Sequence, residues 1–382
     1  MHSNRVVLSL VILAVGALLL GDFASIQANR IVPGRGLGLF TALGPTWALT
    51  VLGILLAIAT LALRPTPARY RLMLALIIAL LLQLPPSIAW LMHQHVPVDQ
   101  PYARAGLATG CWSLLFLTLL LLIEVRQRLP SAWWRLGPLG LLLVTALLLQ
   151  TDTLEPLALL REYTSRRPAF WQALRGHLAL VGGALGISLL LGLLLTALLS
   201  RLPRLQRPTF GLLNLFQTIP SLALFGLLLA PLSYLAAHSA LLQQLNVRGI
   251  GWAPALLALI LYSLLPMLRN TWVALQAVAA EVIDAARGMG MGSWQVFSQV
   301  RLPLALPVIL EGMRITTVQA IGLTAVAALI GAEGLGTFIF QGLGQGAMDL
   351  VLLGALPTIA LALLADALFN GLVRHFQPGA RP

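Results

Sequence analysis

The sequence contains no lysine and has few charged residues of any kind. Charged residues make up 9% of the 382 positions and apolar residues 59%, and the mean hydropathy is +0.91. An ordinary soluble domain is about one quarter charged. So few charges cannot cover a water-facing surface of this size, and most of the exterior must therefore contact lipid.

The missing lysine also excludes one class of site. A phosphate-binding loop of the type GxxxxGK followed by Ser or Thr requires a lysine, so the chain cannot bind ATP in the usual way. All 24 basic residues are arginines, and the net charge is +12. They stand singly or in threes between apolar runs, which is typical of the cytoplasmic loops of membrane proteins. We therefore expect no binding of nucleic acid.

Cysteine, metal-ligand and catalytic patterns are equally scarce. Cys111 is the single cysteine, so no intrachain disulfide can form and a small buried apolar side chain is expected. His93 and His95 form an HxH pair without an evident third ligand, which favours two solvated loop histidines over a metal site. HExxH, GxSxG and a clustered acid–base or nucleophile set are absent. The sequence thus predicts no catalytic residue, no metal and no enzyme.

Ten apolar stretches reach or approach the roughly 20 residues that cross a bilayer. They are Val6–Gly21, Thr46–Leu63, Leu72–Met92, Leu107–Ile123, Trp134–Leu149, His177–Ser200, Thr209–Leu229, Ile250–Leu268, Ala305–Ile330 and Leu350–Val373. Arg5 before the first stretch and Ser25 and Ala28 after it permit a cleaved signal peptide, although an uncleaved helix is favoured. The sequence predicts an all-α, polytopic transmembrane helix bundle of about ten helices.

The placement of arginines predicts the topology. With the N-terminus inside and strict alternation, fifteen arginines fall on the inner side and eight on the outer side, and Arg314 lies within the ninth helix. This bias predicts a multi-pass membrane protein of ten helices with both termini in the cytoplasm. The outer arginines are Arg30, Arg35, Arg104, Arg161, Arg166, Arg167, Arg175 and Arg248.

Residues 151–176 differ in character from their surroundings, since they hold Asp152, Glu155, Glu162 and four arginines between leucine and aromatic residues. We interpret them as an exterior linker with a helix at the membrane surface. The linker would separate a five-helix N-terminal extension, 1–150, from a five-helix core, 177–374, which a cytoplasmic tail, 375–382, follows.

The loop between the eighth and ninth stretches carries the most informative pattern. In the run 281–290, an apolar stripe at helical spacing predicts a short amphipathic helix, with charged residues on the other side. Its small apolar side chains suit insertion into a partner's groove. The stripe consists of Val282, Ala285, Ala286 and Met289, and the charged residues are Glu281, Asp284 and Arg287.

The same run resembles the EAA loop of ABC importer permeases. Asp284-Ala-Ala, three residues, Gly290, nine residues and Val300-Arg-Leu-Pro match that loop, with Asp284 in place of the usual Glu and Val300 in place of Ile. The resemblance implies a coupling helix seated in a cleft of a separate ATPase subunit, and a five-helix ABC importer permease core. The implied coupling residues are Glu281, Asp284, Ala285, Ala286, Gly290, Leu302 and Pro303.

Three further runs look like the osmoprotectant branch of these permeases, which takes up glycine betaine, choline and carnitine. They are 217–224, 264–271 and 331–340. The resemblance covers residues 177–373, and Glu333 departs from it where Gly is more usual. It implies a cytoplasmic ATP-binding subunit, a periplasmic or lipid-anchored solute-binding protein and a second permease copy or related permease, all at a lipid bilayer. We expect no cofactor in this chain and ATP hydrolysis in the partner subunit.

A polar segment around Pro220 is a candidate solute pathway. Pro220 removes a backbone donor in the middle of an apolar stretch and frees a carbonyl, which lipid does not tolerate. We hypothesise that this segment lines the path, while a kink that only aids packing is the alternative. The candidate pathway residues are Gln217, Thr218, Pro220, Ser221 and Asn270.

The glycine-rich run 331–346 is expected to be the outer loop between the last two helices. It is either a flexible connector or an outer gate that faces a binding protein, formed by Glu333, Gly334 and Gly336. Glu333 there would favour cationic solutes over zwitterions.

Charged residues inside the apolar stretches are costly and invite a functional interpretation. Glu311 and Arg314, three residues apart, predict a local ion pair, and Asp366 is expected to reach the interface or to pair with an arginine. Three alternatives to an osmoprotectant permease stay open. They are a permease for another small solute such as an amino acid, a membrane regulatory or scaffold subunit that transports nothing, and an integral-membrane enzyme.

Overall fold

The computed structural model describes residues 3–377, except for 30–31, 33, 97–99, 101 and 130–131. Arg30, Arg381 and most of the predicted tail lie outside the described residues. The chain divides into two compact units, Met1–Ser165 and Arg166–Pro382, and each is described separately.

The described residues of the first unit form six α-helices and three short strands. The helices are α1 (Arg5–Leu20), α2 (Leu39–Leu63), α3 (Pro67–His95), α4 (Thr109–Arg126), α5 (Leu136–Leu149) and α6 (Ala158–Ser165). In α2 the backbone bends at Gly44, whose φ of +74° favours glycine. His93 and His95 belong to the last turn of α3, so their predicted loop position is wrong.

Helices α1 to α4 bury apolar side chains at helical spacing against one another. Val51, Leu55 and Ile58 of α2 are fully buried, as are Ile77 and Leu81 of α3. A spacing of three or four residues places such side chains on one face of a helix. The remaining faces are rich in exposed leucines, as expected of helices that contact lipid.

A single asparagine joins the ends of four of these helices. Asn4 Oδ1 accepts a hydrogen bond from the Val7 N–H at 3.1 Å, which caps α1. Its Nδ2 donates to Tyr70 Oη and to Glu124 Oε1, each at 3.1 Å, and its backbone N–H donates to the Ala62 carbonyl at 2.9 Å. Asn4 therefore fixes the first turn of α1 against α2, α3 and α4.

A small antiparallel sheet lies at the other end of this unit, and the sequence patterns did not predict it. Its strands are β1 (Ala24–Gln27), β2 (Arg35–Leu37) and β3 (Arg104–Leu107), in the order β2-β1-β3. Helix α6 packs beside it, because Arg104 forms an ion pair of 2.9 Å with the buried Glu162.

The second unit forms ten α-helices over its described part, 166–377. They are α7 (Arg167–Arg201), α8 (Gln206–Thr218), α9 (Ser221–His238), α10 (Ala240–Gln244), α11 (Trp252–Gln276), α12 (Ala280–Gly288), α13 (Ser293–Gln295), α14 (Leu302–Val326), α15 (Gly336–Gln345) and α16 (Met348–Phe376). Small residues let α7 and α11 approach closely. A Cβ on Gly192 of α7 would lie 3.5 Å from the backbone of Met267 and of Leu268.

Hydropathy and length confirm the predicted all-α membrane bundle. Within the described ranges, eight helices are long and apolar enough to cross a membrane, and Arg5–Leu20 and Trp133–Leu149 are shorter apolar helices. The predicted seventh span, Thr209–Leu229, is wrong, because the chain breaks at Ile219 and Pro220 and the membrane-length helix is Ser221–His238. Pro220 has no N–H to continue the ladder of α8.

Two other predicted boundaries also differ. The helix of the sixth stretch begins at Arg167 rather than at His177. The helix of the ninth stretch begins at Ser293 rather than at Ala305 and runs without interruption to Ile330. An apolar run in the sequence marks only the part of a helix that is long and apolar enough to cross a bilayer. Both helices extend beyond that part at their N-terminal ends.

Candidate functional site

Helix α12 forms the centre of the predicted coupling loop. Glu281 stands in its first turn and Arg287 in its last turn, where each charge complements the helix dipole. Asp284 and Arg287 are 3.7 Å apart, and 73% and 65% of their side chains are exposed. The charged side of the helix is thus solvated.

The apolar residues of α12 divide between two faces. Ala286 is 2% exposed and packs against its own chain, so the prediction of one continuous stripe is wrong in this position. Val282, Ala285 and Met289, at i, i+3 and i+7, are exposed. The described chain therefore leaves one narrow apolar face of α12 uncovered, and we call these three residues the α12 face.

Gly290 ends this helix with a left-handed residue, φ +85°. Its N–H donates to the Arg287 carbonyl at 2.9 Å, and a residue with a Cβ would be strained here. Gln295 Oε1 then accepts the Gly292 N–H at 2.8 Å and caps the next helix. The glycines therefore set the angle between α12 and the long helix that follows.

A π-helical turn, Val296–Arg301, connects α13 with α14. The Leu302 N–H donates to the Phe297 carbonyl, five residues back, and Pro303 follows directly. The wider turn leaves room for the proline ring without breaking the helix. Arg301 Nη2 donates to the Leu275 carbonyl of α11 at 2.8 Å. A cleft of about 810 Å³, which Leu302, Ile283 and Arg301 help to line, opens beside this turn.

The break between α8 and α9 is held by two reciprocal hydrogen bonds. Gln217 Nε2 donates to the Tyr262 carbonyl at 2.5 Å. The Tyr262 hydroxyl donates to the Ile219 carbonyl, one of the carbonyls that the break leaves without a helical partner. Thr218 Oγ1 donates to the Leu215 carbonyl at 2.7 Å, and Ser221 begins α9. Tyr262, which sequence reasoning missed, therefore satisfies the broken backbone from α11.

Asn270 does not join this group. It lies eight residues after Tyr262 on α11, and its Nδ2 donates to the Pro266 carbonyl at 2.8 Å. A Cβ on Gly312 of α14 would lie 2.6 Å from Asn270 Cβ, so Asn270 packs at a close contact between α11 and α14. The structure brings Gln217, Thr218 and Ser221 together and leaves Asn270 at a separate helix contact.

The glycine-rich run is largely helical rather than a flexible connector. Gly336 begins α15, and a Cβ there would lie 2.6 Å from the carbonyl carbon of Ala325. Gly334 is buried beside His177, with a distance of 3.3 Å from such a Cβ to Nδ1. The glycines serve close packing, which is why a loop prediction from glycine content is wrong here. Glu333 is exposed and accepts a hydrogen bond from Gln172 at 3.1 Å.

The predicted ion pair of α14 is confirmed and extends to α16. Arg314 pairs with Glu311 on its own helix and with Asp366 of α16, at 2.8 Å for the second contact. Asp366 Oδ2 also accepts a hydrogen bond from Asn370 at 2.9 Å. One guanidinium thus lies between two carboxylates inside membrane-length helices.

Two family models match the chain. The model described as binding-protein-dependent transport system inner membrane component matches residues 184–382, which is more than half of the chain. The chain belongs to this family. The extension before its core is similar to the N-terminal domain of ABC transporter permease YehY, over residues 4–160.

The permease is similar to several curated proteins over its second half. It is 41% identical to the osmoprotectant import permease protein OsmW of Salmonella typhimurium, over 51% of this chain and 86% of that one. It is 35% identical to the carnitine transport permease protein OpuCB of Listeria monocytogenes, over 55% and 87%. A structure of the MetNI methionine ABC transporter matches at a TM-score of 0.46 and 23% identity, over 55% of this chain and 98% of that one.

Gly336→Ala is expected to destabilise the permease by about 1–3 kcal/mol, because the new methyl group overlaps the backbone of Ala325, which a small shift cannot relieve. Gly344→Ala is the matched control on the same helix, since its Cβ would meet nothing within 4 Å. Thermal unfolding in detergent measures both. Equal melting temperatures for the two variants would contradict the packing role of Gly336.

Proposed function

We propose that this permease forms the membrane path of an ATP-driven importer for osmoprotectants such as glycine betaine, choline or carnitine. The observation that carries the proposal is the α12 face, which is apolar, small and uncovered by the described chain. Such a face suits a groove on a partner. The names of the curated relatives, osmoprotectant and carnitine permeases, support the solute class.

In this proposal the ATP-binding subunit docks on α12 and its flanking residues. Asp284 and Glu281 would form the polar border of the contact and Ala285 its closely packed part. Ala286 would hold α12 against its own chain, and Gly290, Leu302 and Pro303 would fix the angle of α12 to α14. The chain itself binds no cofactor, and ATP is hydrolysed by the partner. A separate solute-binding protein delivers the solute at the opposite end, and a second permease copy or a related permease completes the path.

The topology that follows has both termini in the cytoplasm of a bacterial inner membrane. The N-terminal extension, 1–150, and the predicted linker, 151–176, of which 167–176 already belong to α7, precede the core, 177–374. The tail, 375–382, returns to the cytoplasm. We infer that Gln217, Thr218, Pro220 and Ser221, at the break between α8 and α9, line the solute path, and that Asn270 supports it from the contact between α11 and α14. Glu333, Gly334 and Gly336 form the outer gate.

Uptake by reconstituted protein tests the proposed function. The permease, its ATP-binding subunit and its solute-binding protein are placed in liposomes, and labelled glycine betaine, choline, carnitine, histidine and methionine are offered in turn. We expect ATP-dependent accumulation of at least one of the first three solutes and none of the two amino acids. Accumulation of an amino acid alone would assign another solute class, and no accumulation of any solute would remove the proposal.

A further inference from the structure

We propose that the permease carries its own receiving site for a zwitterion, in the cleft that Glu333, Arg248 and Trp252 line. The cleft has a volume of about 620 Å³ and lies at the start of α11, whose other end leads into α12. The ligand class is a small solute with a quaternary ammonium group and a carboxylate, as in glycine betaine. This inference rests on the proposed function and names the side chains that would distinguish its solutes.

Two left-handed glycines build the base of this cleft. Gly251 and Gly331 have φ values of +93° and +78°, and the Gly251 N–H donates to the Ile330 carbonyl at 2.8 Å. The hydrogen bond ties the start of α11 to the segment that follows α14. Since Trp252 directly follows one glycine and Glu333 lies two residues after the other, their separation is set by backbone rather than by flexible loops.

The cleft holds two opposite charges that do not neutralise each other. Arg248 and Glu333 both line it and both are exposed, yet no ion pair joins them. Glu333 accepts a hydrogen bond from Gln172 at 3.1 Å, which orients its carboxylate from α7. A ligand that carries both charges would have a partner of opposite sign for each of them in this cleft, whereas an ion with one charge would have only one.

An indole ring supplies the third element of the site. Trp252 Nε1 donates to the Asn246 carbonyl at 3.2 Å, so the orientation of the ring is fixed, and 42% of the residue stays exposed. Tryptophan gives the strongest cation–π attraction for a quaternary ammonium group. Glu333 and Trp252 would bind the ammonium end of the solute, and Arg248 the carboxylate end by charge-assisted hydrogen bonds.

This arrangement predicts a preference that Glu333 alone does not. A lone carboxylate would favour cations such as choline, which has no carboxylate of its own. With Arg248 in the same cleft, the site offers choline only half of its contacts, and the zwitterion is favoured. The cleft would accept the solute as the binding protein releases it, so its side chains act on solute transfer and not on binding-protein docking.

Uptake in proteoliposomes at a saturating concentration of the solute-binding protein tests the site. Arg248→Ala is expected to lower glycine betaine uptake about tenfold and to leave choline uptake at its wild-type level, because one charge-assisted hydrogen-bonding partner is lost. Glu333→Gln is expected to lower the uptake of every solute that the wild type imports. Arg35→Ala, at an exposed arginine of the first unit, is the matched control and should change neither.

Three results would overturn the inference. The first is unchanged betaine uptake in Arg248→Ala, and the second is an equal loss of betaine and choline uptake in that variant. The third is a loss of uptake that a higher concentration of solute-binding protein restores, because such a loss would identify a docking contact. A wild type that imports neither solute would overturn the proposed function itself. A wild type that imports betaine while both variants behave like it would overturn only the site.

Discussion

Ala285→Arg is expected to detach the ATP-binding subunit and to stop uptake, while the permease stays folded. Ala285 is exposed at the middle of the α12 face, so an arginine there meets nothing in the described chain. In a close-packed interface the same side chain cannot be accommodated. Disrupting a residue at the centre of an interface costs about 2 kcal/mol or more of binding free energy, which corresponds to a loss of affinity of roughly 30-fold.

Copurification of the two subunits in detergent and solute uptake in liposomes measure this effect. Ala68→Arg is a matched control, because Ala68 is also exposed, stands in the first turn of α3 and lies on the predicted cytoplasmic side of the first unit. We expect the control to bind the ATP-binding subunit normally. Retained copurification and uptake in Ala285→Arg would place the docking contact elsewhere and would remove α12 from the mechanism.

Arg314→Gln is expected to reduce the amount of folded permease severalfold. Arg314 is the shared partner of Glu311 and Asp366, and its loss leaves two carboxylates without a counter-charge on adjacent membrane-length helices. Removing one partner of a charge cluster in a membrane is far worse than removing the whole cluster. The triple variant with Glu311→Gln and Asp366→Asn should therefore recover much of the yield.

Size-exclusion chromatography of solubilised protein and its thermal unfolding measure the recovery. Arg287→Gln is the matched control, since it breaks the exposed pair with Asp284, 3.7 Å apart, and exposed pairs contribute little. We expect the control to behave like the wild type. If the triple variant were no more abundant than Arg314→Gln, the cluster would matter for a reason other than charge compensation.

Much of the helical bundle could be predicted because lipid imposes a simple requirement. A helix must present about 20 apolar residues to cross the bilayer, and α3, α4, α11 and α16 overlap closely with predicted stretches. Helix ends could not be predicted as well. The first ten residues of α7 interrupt the apolar run with Arg167, Gln172 and Arg175, and nothing in their composition separates a continuing helix from a linker.

The three-stranded sheet was missed for a different reason. Its strands have only three or four residues, too few to show an alternating pattern, and β1 pairs with β3 across about 80 positions of sequence. Pairing of this kind is decided by tertiary contacts rather than by local preference. A local pattern therefore could not reveal it.

The candidate site shows the same division between local and distant information. Pro220 marks the helix break in the sequence, since a missing N–H is a local property. The group that satisfies the freed Ile219 carbonyl is the Tyr262 hydroxyl, 43 residues away. Likewise, the spacing of the 281–303 run predicts a helix and a turn, but which of Ala285 and Ala286 is buried depends on how α12 meets the rest of the unit.

The unbroken helix Ser293–Ile330 has a mechanical consequence. Its 38 residues extend roughly 57 Å at 1.5 Å per residue, almost twice the thickness of the hydrocarbon layer, about 30 Å. The exposed Trp294 stands at one end and Glu333 follows three residues after the other. The helix therefore forms one continuous backbone element from Trp294 to Ile330, and we expect a displacement of the coupling loop to be carried along it toward the segment that holds Glu333.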